Sequence, residues 1–146
     1  MMRRAVPAAC AFLLLCARPA GAWVMPNDID FSCTLHHAAA SDLNSLKKLP
    51  GSVKAYIAGS IGQMADRGEF FNVTDAVEKP APSARFIRAG RVGDYWFLWY
   101  ERGGIAYSKH IVVLHLDLEM TQVADKTYGG QDDPCPLTDA LIDKQR

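Results

Sequence analysis

The sequence predicts an α+β domain: one main helix packed on an antiparallel meander of about four strands, with the two ends of the chain joined by a disulfide. Val53, Ile57, Ile61 and Met64 form an apolar stripe at helical spacing. From Ala84 onward, β-branched and aromatic residues crowd into short runs punctuated by glycine, as in "RVGDYWFLWYERGGIAYSKHIVVLHLD". Cys33 and Cys135 stand near opposite ends of the domain that residues 23–146 would form.

Residues 1–22 read as a secretory signal peptide, removed before folding. Met1-Met2-Arg3-Arg4 is a positively charged start, Ala5 to Cys16 a short apolar run, and Ala20-Gly21-Ala22 a small-x-small cleavage pattern. The run falls short of the ~20 residues that a membrane span needs, and charges interrupt every later apolar stretch. A lipid-modified Cys16 is the rival reading, and the bulk of Leu15 before it argues against that. Residues 23–146 then form a single exported domain, periplasmic or extracellular.

Cleavage changes the charge. The chain has 16 basic and 16 acidic residues; the leader takes Arg3, Arg4 and Arg18 and no acid, leaving 13 against 16 and a net of −3. A nucleic-acid footprint needs a clustered basic excess, which is missing. No polybasic stretch addresses anionic lipid either. Cys10 and Cys16 leave with the leader, so the remaining pair, Cys33 and Cys135, reads as a structural disulfide of the oxidising compartment.

Local signals place the elements along the chain. Asp28 to Cys33 suits a short strand or an extended arm. Ser41 is placed to cap a helical turn through Leu43, Leu46 and Leu49 that Pro50 stops. The main helix runs from about Ser52, its N-cap, to Asp66, with Gly68 as its stop. Glu69 to Val77 is a short strand or turn, and Lys79 to Pro82 a loop. Asn72-Val73-Thr74 matches a glycosylation sequon, a pattern common by chance. Strands are expected at Ala84–Arg91, Asp94–Arg102, Ile105 to about Glu119, and Met120–Thr127, with a short final helix from Thr138.

Two-residue hairpin turns at Val92-Gly93 and Gly103-Gly104 fix a register. On one face Ile87, Ala89, Trp96, Leu98 and Ile111 form an aliphatic surface for the helix. On the other, Phe86, Tyr95, Phe97, Trp99 and Val112 form an aromatic face interrupted by Arg88, Ser108 and His110. An aromatic face with polar interruptions suits binding, since Tyr and Trp offer large area with a polar handle. The predicted binding residues are therefore Arg88, Tyr95, Phe97, Trp99 and His110. A covered core, with Arg88 stacked on Phe97, is the plainer reading of the same residues.

Other chemistry is sparse. His115, Asp117 and Glu119 alternate in "HLDLE" and would project from one face of a strand, a divalent-metal set if they converge. His36-His37 offers a second, weaker metal pair. No Gly-x-Ser-x-Gly, P-loop, dinucleotide fingerprint or His-Glu-x-x-His is present, and nothing asks for a cofactor. The expected function is an exported module, of inhibitor type, that binds a protein or a small ligand. The alternatives are a small exported enzyme or metal-binding protein using His110 or the His115 group, and a structural part of a cell-envelope complex.

Overall fold

The structure, a computed structural model, describes residues 33–75, 80–117, 120–129 and 132–146. The expected leader at 1–22 and arm at 28–32 lie outside the described residues. Elements run β1 (Ser41–Leu43), α1 (Gly51–Tyr56), β2 (Met64–Ala65), β3 (Ala84–Val92), β4 (Tyr95–Arg102), β5 (Ser108–His115), β6 (Gln122–Tyr128) and α2 (Pro134–Asp143). The class is mixed α+β, and Cys33 and Cys135 are joined in a disulfide with Cα atoms 6.0 Å apart. Among the described residues the sheet has six strands rather than four, and the C-terminal helix, at 10 residues, is longer than α1.

Strands β3 to β6 form the antiparallel meander. β1 extends the sheet antiparallel to β3, and β2 runs parallel to β3 at the start of that strand. The segment expected to form a capped turn from Ser41 is instead strand β1, followed by a 3₁₀ turn at Leu46–Lys48 capped by Ser45. Asp66 reaches back to this turn, accepting from Ser45 Oγ at 2.7 Å and from the Leu46 N–H at 2.8 Å. Burial works against its charge, yet the hydrogen bonds from Ser45, Leu46 and Arg67 hold the Asp66 carboxyl below its ordinary range.

The main helix is shorter than the apolar stripe suggests. Pro50, not Ser52, is its N-cap, and the α-helix gives way to a π turn over Ile57–Ile61. Proline suits a helix start, because its missing N–H has no intrahelical role there. Gly62 ends the run in the left-handed region at φ 98°, its N–H bonded to Ile57 O at 2.8 Å. Met64, expected on the helix, belongs to β2. Two glycines close together, Gly59 and Gly62, explain the early stop better than Gly68 does.

Both faces of the sheet are covered. Val53 and Ile57 of the helical segment press on Phe86, Ala89, Trp96, Leu98, Tyr100, Val112 and Leu114. The opposite face gathers Ile87, Val92, Phe97, Trp99, Ile111 and Val113 under Cys135 and Ile142 of α2 and Leu35 of the N-terminal arm. Each fully buried aliphatic or phenyl side chain contributes about 1.5–3 kcal/mol, so the two layers together carry the fold.

Candidate functional site

The expected aromatic face exists and is closed. Phe97 and Trp99 are each 0% exposed. Trp99 Nε1 donates to Thr138 Oγ1 of α2 at 2.9 Å, and Tyr95 donates its hydroxyl proton to the carbonyl of Gln145 at 2.9 Å. An exposed docking face at Tyr95, Phe97 and Trp99 is therefore corrected to a helix-covered core. The covering helix starts earlier than Thr138, with Pro134 in its first turn and the Asp133 carboxylate accepting from the Cys135 N–H at 3.0 Å. Its sequence signal was Cys135, Thr138 and Ile142, spaced i, i+3, i+7.

Arg88 is on that face, as expected, but turned to structural work. Its guanidinium grips Asp42 of β1 through two bonds, at 2.8 and 2.6 Å, and donates to Cys33 O at 3.1 Å. The Trp99 ring lies beneath it at 5.0 Å, with Phe97 farther at 5.9 Å. Such a residue organises the disulfide corner and is not available to a ligand.

His110 is on the other face. The β4–β5 connection is a loop over residues 103–107, not a two-residue turn, so Tyr100 pairs with His110 and Trp99 with Ile111. Relative to the expected register this is a shift of three, and an odd shift exchanges faces. His110 stacks flat on Tyr100, with ring centroids 4.8 Å apart and planes 9° from parallel. Its Nε2 is 2.9 Å from Ser108 Oγ, and its Nδ1 is 3.5 Å from Asp125 Oδ1 on β6. Arg102 is the direct cross-strand partner of Ser108. Burial and then the Asp125 charge push the Tyr100 phenol up to about 12, with Arg102 opposing. Tyr56, whose hydroxyl bonds Gln122 Oε1, is raised for the same two reasons.

The 103–107 loop itself was not singled out by the sequence. Ile105 at its tip is 93% exposed, Tyr107 is 41% exposed, and Phe70 on the adjoining segment is 53% exposed. The loop is anchored at its start, where the Gly103 N–H donates to Ser83 O at 2.8 Å and the Gly104 N–H to Val73 O at 3.1 Å. A Cβ on Gly103 would stand 1.8 Å from the Asn72 carbonyl oxygen, so only glycine fits. At the other end Tyr107 donates its hydroxyl proton to Glu101 Oε2 at 2.8 Å. Glu101 in turn holds Arg85 at 2.9 Å in a buried pair, and the Arg85 guanidinium lies 4.6 Å from the Phe71 ring centroid. Burial and the Glu101 carboxylate push the Tyr107 phenol well above its ordinary value. Asn72 of the sequon is buried, its amide donating to Ala81 O at 2.9 Å.

Of the three alternating candidate ligands, His115 and Asp117 fall within the described residues. β5 ends at His115, and Asp117 turns back to accept the Thr121 N–H at 3.1 Å, so Leu116 and Asp117 do not continue the strand. His115 Nδ1 and Asp117 Oδ2 are 3.8 Å apart, while Glu119 lies outside the described residues. The His36 and His37 N–H groups both donate to Asp139, and His37 Nε2 meets Asp143 Oδ1 at 2.8 Å, which ties the arm to α2. Among the described residues the metal-ligating group of three is Cys33, Asp133 and Cys135, whose sulfurs are already joined to each other.

No protein-family profile, characterised protein or solved structure matches the chain. The residues and their geometry alone therefore carry the functional reading.

Proposed function

We propose that this chain is an exported protein-binding module, of inhibitor type, whose contact element is the anchored loop at 103–107. The observation that carries the reading is the 93% exposure of Ile105. Single exposed aliphatic residues are ordinary on protein surfaces. Here, however, the side chain caps a loop fixed by hydrogen bonds at both ends, with the half-exposed Tyr107 two residues on. A convex apolar tip held in place loses little conformational freedom on binding, so more of its burial appears as affinity. The fitting partner is a protein with a concave apolar pocket. Export is supported by the charged-then-apolar leader pattern and by the disulfide.

A photo-crosslinking residue placed at position 105 identifies the partner, and Ile105→Asp tests the contact. Affinity for that partner falls by at least about tenfold in Ile105→Asp, the scale of a lost interface anchor. The unfolding midpoint stays unchanged. Equal affinity of wild type and Ile105→Asp for the crosslinked partner rejects the loop as the contact element.

A further inference from the structure

Ser108, His110 and Asp125 stand in hydrogen-bonding order across β5 and β6, and the loop-binding reading uses none of them. Serine alone is a weak nucleophile; a neighbouring base, itself oriented by a third group, is what activates it. All three parts are present. Ser108 Oγ and His110 Nε2 are 2.9 Å apart, within proton-transfer reach. The imidazole is fixed from below by the parallel Tyr100 ring at 4.8 Å. Asp125 approaches the far nitrogen at 3.5 Å, with its side chain 42% exposed. Arg102 on β4 is the direct cross-strand partner of Ser108, a register position from which a cation can meet charge that develops there. The imidazole is only 15% exposed, whereas Ser108 sits at the very start of β5, next to the exposed loop.

We propose that Ser108 is a nucleophile for acyl transfer, with His110 as its base and small activated acyl esters as the substrate class. Ser108 Oγ forms a bond to the ester carbonyl carbon while its proton passes to His110 Nε2. The carbonyl electron pair moves onto oxygen, where Arg102 balances the charge. As that pair returns, the bond to the leaving oxygen breaks, and the leaving group takes the proton from His110. Water, deprotonated by His110 in the same way, then attacks the acyl-serine; the acid departs and Ser108 recovers its proton. Asp125 is a positioning residue that selects the imidazole tautomer with its base nitrogen toward Ser108.

The test uses the full chain and a fluorophosphonate probe. With this reagent Oγ–P forms, P–F breaks, fluoride leaves, and the proton remains on His110. The expected result is one adduct per chain, mapped to Ser108 by peptide mass, and absent in Ser108→Ala. His110→Gln slows labelling by about 100-fold or more, the usual scale of general-base assistance. Asp125→Ala also slows it, and Asp125→Glu recovers part of the rate, which a merely structural carboxylate would not do. Near-UV circular dichroism confirms that each variant is folded. Absence of an adduct on Ser108 in the folded wild type overturns the proposal, as does labelling of His110→Gln at the wild-type rate. Neither result bears on Ile105, so the two readings fail separately.

Discussion

Arg88 engages Asp42, the Cys33 carbonyl and the rings of Trp99 and Phe97 at once, with its own side chain only 13% exposed. Removing it leaves a carboxylate and a carbonyl at the disulfide corner without their donor. The released Asp42 carboxylate is half exposed and returns to water, so Arg88→Ala is expected to lower the unfolding free energy by about 1–2 kcal/mol, mostly from the lost stacking on Trp99, read from denaturant titration. Arg88→Lys recovers little, because an ammonium cannot span both Asp42 oxygens while stacking on indole. Affinity through Ile105 stays as in wild type under conditions where the variant is folded. The sequence placed Arg88 correctly among aromatic rings. It could not show Asp42, which reaches Arg88 from 46 residues away through a strand that read as a helical turn.

At the scale of elements, connections decided what the strands meant. The turn between β3 and β4 is Gly93-Asp94 rather than Val92-Gly93, a shift of two that leaves faces intact: Arg88 moves from opposite Phe97 to opposite Trp99 on the same face. A bulge at Ile87 then exchanges two neighbours, sending Phe86 to the α1 side and Ile87 to the α2 side. The longer loop after β4 moves His110 across the sheet. The two loop changes are invisible in a local apolar pattern, since an extra residue in a loop leaves the strand's own alternation unchanged, and the bulge is hidden because Phe86 and Ile87 are both apolar. The loop's anchorage gives a direct check. Gly103→Ala forces the backbone away from Asn72 and is expected to cost about 1–3 kcal/mol. Amide exchange at Gly104, whose N–H is held by Val73 O, becomes faster, and affinity for the crosslinked partner falls with it.

For the whole molecule, a sheet with both faces covered makes a prediction about tryptophan. Trp96 is 6% and Trp99 0% exposed, one beneath each helical layer. In a Trp23→Phe background, emission comes from these two alone, since the chain has 3 tryptophans. That emission should be blue-shifted and several-fold less quenched by acrylamide than free tryptophan. Quenching close to that of the free amino acid would mean that α2 does not cover its face in solution.

The sequence by itself determined the α+β class, the helical segment near residue 53, the β run after Ala84 and the pairing of Cys33 with Cys135. These depend on residue type and on spacing along the chain, which local sterics and burial period translate directly. Only the tertiary structure decided that the aromatic face is sealed, that His110 lies with Ser108 and Asp125, and that Ile105 stands in water. Those facts depend on loop length, one bulge and a C-terminal helix, far along the chain from Trp99, packing back onto the sheet by Cys135. Each is a contact between distant parts of the chain, and a face is assigned only when such contacts form.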